Sequence, residues 1–191
     1  RVACQGDSRD VEAAARALCQ ARYPVIHAGQ GVMYANAGEE LLELAGLLQA
    51  PVVTTLLGKS AFPETHPLAL GCGAGVMSGP VYHFVGRSDV VFGIGCSFTK
   101  HGMCMNIPPG KTMIQATNDP ADINKDYNID YPIVGDAKLV LRQMIDACDQ
   151  LAVHPAIFCD AADRRAAEAD AVVATLAPDQ PGAAAVALQL M

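Results

Sequence analysis

The chain has 191 residues, 51% of them apolar and 17% charged, with a formal net charge of −7. That apolar content supports a sizeable buried core and excludes a disordered chain, and the acidic balance without Lys/Arg clusters excludes a nucleic-acid surface. No apolar run approaches the roughly 18 residues of a membrane span, so no membrane partner is expected.

The start, Arg1-Val2-Ala3-Cys4, has neither an initiator Met nor an apolar leader and is expected of a stretch inside a longer chain. Asp10 and Glu12 suit the first turn of a helix from about Arg9 to Ala21 capped by Ser8, with Val11, Ala14, Ala15 and Leu18 on its apolar face. Pro24 opens a short strand, Val25-Ile26-His27-Ala28, that breaks into Gly29-Gln30-Gly31. Asn36 followed by Glu39 has the form of a capping box for a helix to Gln49, whose buried stripe is Leu41, Leu44, Ala45 and Leu48.

Val52-Val53-Thr54-Thr55 reads as a second strand, and Leu68-Ala69-Leu70 as a brief third one running into a glycine-rich turn from Gly71 to Gly75. A helix over about Gly79–Gly86 precedes the stretch Ser88–Phe98, whose unbroken apolar run predicts a strand buried on both faces. Thr112–Ala116 is the next strand, followed by Asn118-Asp119-Pro120 with Asp119 and Asp122 as caps of a helical turn. A last strand near Pro132–Val134 meets Gly135-Asp136 and a helix to about Gln150 that buries Ala137, Val140, Met144 and Cys148. Beyond it, His154-Pro155 is expected to break the helix, Ala161–Leu176 to form another, and Pro178–Met191 to act as linker.

Strands alternating with helices at this spacing predict βαβ units and a parallel sheet, hence an α/β fold with helices on both faces in three layers. Ligands of such sheets bind beyond the carboxyl ends of the strands, which directs attention to Gly95–Thr99 and its counterparts. Gly29-x-Gly31 stands between a strand and a helix, as a dinucleotide fingerprint requires, but Tyr34 takes the place of the third glycine. It is either a phosphate-contacting loop or a plain tight turn.

Other motifs fall short of chemistry. Gly95-Cys96-Ser97-Phe98-Thr99 lacks the closing glycine of a nucleophile elbow, so Ser97 reads as a loop hydroxyl. Asp122-x-Asn124-x-Asp126 begins like a calcium loop, but Tyr127 and Ile133 stand where a glycine and a bidentate Glu belong. His101-x-x-Cys104 lacks a second ligand pair, and His27 reads as a core or rim histidine. No catalytic residue and no metal ligand is therefore nominated. The seven cysteines make no Cys-x-x-Cys and no regular framework, which fits a reducing, cytoplasmic setting.

Taken together, the order of segments resembles the central domain of thiamine-diphosphate-dependent enzymes of the acetolactate synthase large-subunit type. The resemblance is carried by Tyr23–Gly31, Ala50–Lys59, His66–Gly71, Ser88–Gly95, Asn118–Ile123 and Val134–Ala137. It implies a Rossmann-like, six-stranded parallel sheet over residues 1–151, with 152–191 leading toward a further domain. It also implies a parent that forms or cleaves carbon–carbon bonds of 2-oxo acids and tends to form homo-oligomers. Thiamine diphosphate and Mg²⁺ would be held by flanking domains that carry a catalytic Glu and a Gly-Asp-Gly…Asn-Asn signature, with the electron sink supplied by the cofactor.

Some central domains of this kind hold FAD, some an ADP-containing effector, and some nothing. Flavin-binding members carry Gly-Met-His-Gly where this chain has Ala74-Gly75-Val76-Met77, an Arg at Ser97, and an acidic residue at Thr117. Gly29, Gly31, Thr55, Leu56, Gly95, Asn118, Asp119 and Asp136 still match, so either an adenine-nucleotide cleft (FAD or ADP) or an architectural one is expected. The alternative from another class is a stand-alone FAD module of the electron-transfer flavoprotein kind.

Overall fold

The computed structural model describes residues 3–75 and 77–152. The expectations for 154–155, 161–176 and 178–191 lie outside them. In chain order the elements are α1 (Ser8–Gln20), β1 (Pro24–Ala28), α2 (Gln30–Tyr34), α3 (Gly38–Leu48), β2 (Val52–Thr54) and β3 (Ala69–Cys72). There follow α4 (Gly79–Arg87), β4 (Val90–Ile94), β5 (Thr112–Thr117), a 3₁₀ turn (Pro120–Asp122), β6 (Tyr131–Val134) and α5 (Ala137–Ala152).

As expected, all six strands join one parallel sheet; its order is β3-β2-β1-β4-β5-β6. β1 and β4 are central and wholly buried, with Val25 opposite Val91 and Ala28 opposite Ile94. Successive strand residues face opposite sides of a sheet, and the core divides accordingly. Ile26, Phe92, Ile114 and Ile133 pack under α1, α3 and α5, while Val25, Val53, Val91 and Met113 pack under α4 and residues 96–107. Each fully buried aliphatic side chain of this kind contributes about 1.5–3 kcal/mol. On the first face Glu40, buried in α3, is 3.5 Å from Lys138 and 3.6 Å from Arg142 of α5. Among the described residues no helix is long and apolar enough to cross a membrane.

Three local expectations are corrected. The cap of α1 is Asp7, whose carboxylate accepts the Arg9 amide at 2.9 Å, because Ser8 already has helical backbone and a cap must not. Asn36 does not cap α3. It takes the left-handed conformation (φ 50°), which Asn tolerates, and α3 starts behind Ala37 with no side-chain cap. Gly71 is not a turn but part of β3. Its φ of 93° coincides with a register shift against Val52/Val53, a bulge that the absent Cβ permits.

Candidate functional site

From β1 the sheet grows one way through β2 and β3, and from β4 the other way through β5 and β6. Loops leaving β1 and β4 therefore part, and a crevice opens between them at the carboxyl ends of the strands. Here it is a cleft of about 1150 Å³. Gly29 and Gly31 follow β1, Thr55 and Leu56 follow β2, Gly95 follows β4, Asn118 and Asp119 follow β5, and Asp136 follows β6. All eight residues nominated from the sequence line it.

The glycines interlock with one another. The Gly29 amide donates to the Ile94 carbonyl and the Gly31 amide to the Gly95 carbonyl, both at 2.9 Å. A Cβ on Gly29 would fall onto the Gly95 carbonyl oxygen and 2.6 Å from Cys96 Cβ. One on Gly31 would lie 2.7 Å from Gly95 Cα, and Gly95 itself has φ 62°. Close approach of two backbones thus demands all three glycines. The space a side chain would take at Gly29 and Gly31 is filled by the facing backbone, and both amides are already bonded to it.

Polar groups on the rim serve the fold as well. Thr55 Oγ1 accepts the Gly58 amide at 2.9 Å. Asp119 Oδ1 accepts the Ala121 amide at 3.0 Å, capping the 3₁₀ turn as expected, whereas Asp122 accepts from the Thr117 hydroxyl instead of capping. Asp136 Oδ1 accepts the Lys138 and Leu139 amides at the start of α5. Among the residues that line the cleft, Asp119, Asp122 and Asp136 are acidic and none is Lys or Arg. The outer rim is apolar, with Tyr34, Leu56, Leu57 and Met103 all exposed.

Two titratable groups line the cleft in buried positions. Burial holds His27 down at about 4, so its imidazole is neutral at pH 7; neither ring nitrogen has a hydrogen-bond partner among the described residues. Its ring centroid is 5.6 Å from that of Phe98. Burial likewise pushes the Cys96 thiol up to about 12, against a hydrogen bond from the Phe98 backbone, so it is a poor nucleophile. Ser97 Oγ shares a hydrogen bond with Thr99 Oγ1 at 2.8 Å, as a loop hydroxyl does.

The calcium look-alike is dispersed: Asn124 Oδ1 accepts the Ile129 amide and Asp126 accepts the Lys100 amide. Among the described residues no three His, Cys, Asp or Glu side chains are grouped to hold a metal. Gly135-Asp136 therefore does not suit a magnesium–diphosphate site, its carboxylate being spent on α5. Gln115 was missed from sequence. It is fully buried, and its Nε2 donates to the Cys96 and Asp122 carbonyls, tying the β4 loop to the 3₁₀ turn. The available signal was a lone amide inside the apolar run of β5.

Comparison with known proteins places this geometry in context. Residues 11–144 match the family model described as thiamine pyrophosphate enzyme, central domain. Probable acetolactate synthase large subunits of Methanococcus aeolicus and Methanocaldococcus jannaschii are 40% identical over 148 residues and 42% identical over 144. These alignments cover 76% and 74% of this chain but 25% and 24% of those proteins, so the chain spans about a quarter of the curated relatives it matches. Among solved structures, one described as a thiamin diphosphate-dependent enzyme from Mycobacterium smegmatis superposes with a TM-score of 0.66 at 26% identity, covering 77% of this chain and 29% of that one. Benzoylformate decarboxylase from Polynucleobacter necessarius shares the fold, with a TM-score of 0.65 at 24% identity over 77% of this chain and 28% of that one. With its six parallel strands, its switch-point cleft and a family match over most of its described length, this chain belongs to the central-domain family of thiamine pyrophosphate enzymes.

Proposed function

We propose that this domain is the architectural centre of an acetolactate-synthase-like subunit and that its cleft holds neither FAD nor ADP. The parent would use thiamine diphosphate, with Mg²⁺, to form or cleave carbon–carbon bonds of 2-oxo acids; the 40% identity to acetolactate synthase large subunits supports that reading. The cofactor supplies the electron sink when bound, and its ligands lie in the flanking domains. Residues 1–151 form the central unit. Its apolar rim of Tyr34, Leu56, Leu57 and Met103 is suited to packing against a neighbouring domain of the parent, itself a cytoplasmic homo-oligomer.

The observation that carries the architectural reading is the lining of the cleft: three carboxylates, no cation, and glycine amides committed to the facing loop. A diphosphate needs the opposite arrangement. The stand-alone flavin module is less well supported, since it needs the same missing cation. A thermal-shift panel on the chain with FAD, ADP and thiamine diphosphate–Mg²⁺ tests this. A ligand at a hundred times its dissociation constant adds about 2.7 kcal/mol, or about 5–10 °C in Tm for a chain of this size. No shift is expected. A shift with FAD or ADP would overturn the architectural reading, and one with thiamine diphosphate would overturn the assignment of the cofactor to flanking domains.

A further inference from the structure

Cys19 lies in the last turn of α1 and Cys148 near the end of α5, helices that begin and end the described fold. Their sulfur atoms are 3.2 Å apart, with the Cys19 thiol donating to Cys148, although 129 positions separate them in the chain. That is closer than the roughly 3.5–4.0 Å of ordinary van der Waals contact between carbon atoms. Both residues are buried, at 1% and 0% exposure, among Ala15, Leu18, Met144 and Leu151 of the same core. A disulfide needs its sulfurs at about 2.05 Å, a further approach of about 1.2 Å. Among the other described cysteines, Cys4 is exposed, Cys72 and Cys104 are half-buried, and Cys96 lines the cleft.

We propose that Cys19 and Cys148 form a dithiol site that a low-molecular-weight disulfide oxidises to an intradomain cross-link, stapling α1 to α5. One protein thiolate attacks a sulfur of the oxidant, forming a mixed disulfide and releasing one small thiol. The second protein thiolate attacks the protein-side sulfur of that mixed disulfide, closing the Cys19–Cys148 bond and releasing the second small thiol. The two protons lost by the protein thiols end on the two released thiols, and the oxidant takes both electrons. In the closed fold the step is slow. Sharing a hydrogen bond within the Cys19–Cys148 thiol pair and burial both hold the Cys148 thiol above its ordinary range, so exchange waits for α1 or α5 to open locally. Once formed, the cross-link constrains the unfolded chain over nearly the whole domain, a constraint that raises stability most for long loops.

The test uses the reduced full chain with oxidised glutathione as the oxidant, in buffer and in sub-denaturing urea. Denaturation, alkylation and peptide mapping follow. The expected result is joint loss of alkylation at Cys19 and Cys148 and a linked peptide pair whose mass is lower by two hydrogens than that of its two free peptides together. Closure should be faster in urea, and Tm should rise by about 5–15 °C, reversibly on adding dithiothreitol. Cys148→Ala and, separately, Cys19→Ala should abolish the linked peptide and the Tm rise while glutathione still labels Cys4. Full alkylation of both residues after oxidation in urea, a stable glutathione adduct on one without linkage, or linkage without a Tm rise would overturn the proposal. The mapping on the unsubstituted chain decides the matter even if a variant folds poorly.

Discussion

Replacing Gly29 by alanine tests whether the glycines of the cleft are there for the protein or for a ligand. The new Cβ would fall onto the Gly95 carbonyl oxygen and lie 2.6 Å and 2.7 Å from Cys96 Cβ and Cα. These are backbone or backbone-attached atoms, so no side-chain rotation relieves the clash. The loop after β1 must draw away from the loop after β4, straining the Gly29–Ile94 and Gly31–Gly95 hydrogen bonds. Overpacking of this kind costs about 1–3 kcal/mol, and each lost hydrogen bond about 0.5–1.5 kcal/mol. The sum, about 4 kcal/mol, corresponds to a fall in Tm of about 8–16 °C for a chain of this size. The control is Gly46→Ala in α3, where a Cβ would meet nothing within 4 Å. There alanine should stabilise by about 0.5–1 kcal/mol through helix propensity. Urea unfolding followed by circular dichroism measures both. A Gly29→Ala protein within about 0.5 kcal/mol of the parent chain would refute the interlock and return Gly29 to the role of a phosphate loop.

Three further outcomes are expected. His27 titrates near 4 when folded and near 6.5 when unfolded, so as pH falls the unfolded chain takes up the proton first; about 3 kcal/mol of stability is present above pH 6.5 and lost on the way down to pH 4. His27→Leu should flatten that limb, read as urea midpoints at pH 7 and pH 4.5, and equal slopes for both proteins would disprove it. Asp136→Ala removes the acceptor of the Lys138 and Leu139 amides and should cost about 1 kcal/mol, with Asp136→Asn recovering most of the lost Tm. Ser97→Arg, placing a cation in the lining of the cleft, should strengthen ADP binding at least about tenfold, or 1.4 kcal/mol, measured by calorimetry; unchanged binding would show that charge does not set the nucleotide affinity of the cleft.

The sheet was legible in the sequence because its strands are short, β-branched and bounded by Gly and Pro. The stripe of α5 was legible because Val140, Met144 and Cys148 recur at helical spacing. By contrast, α2 is five residues long, too short to show a period. Asn36 beside Glu39 satisfies a capping pattern by residue type, yet the left-handed turn after α2 claims Asn36 first. Gly71 reads as a turn because sequence marks where a Cβ is not tolerated without saying whether a turn, a bulge or a neighbour excludes it. The cleft shows the same ambiguity. All eight nominated residues gather there, but the reason for Gly29 and Gly31 is Gly95, which belongs to a different βαβ unit and is invisible to any local pattern. That His27 has no hydrogen-bond partner among the described residues is likewise a property of its neighbours across β2 and β4.

Topology and ligand are therefore separable in this domain. The strand order makes a crevice whether or not anything enters it, since it follows from β1 and β4 sending their connections in opposite directions. Occupancy depends on a few side chains and on the sign of their charge. At roughly 5–6 Å and an effective dielectric of about 20, each carboxylate repels one phosphate charge by about 3 kcal/mol, and a cation in the same place would attract by as much. Exchanging one for the other reverses the preference without moving a strand. The apolar core under α1, α3 and α5 does not depend on that choice, and neither do the three glycines, which are fixed by the approach of one loop to another. A central domain with this fold can thus hold or lack a nucleotide without change to its sheet, and an acidic lining without Lys or Arg is what disfavours one.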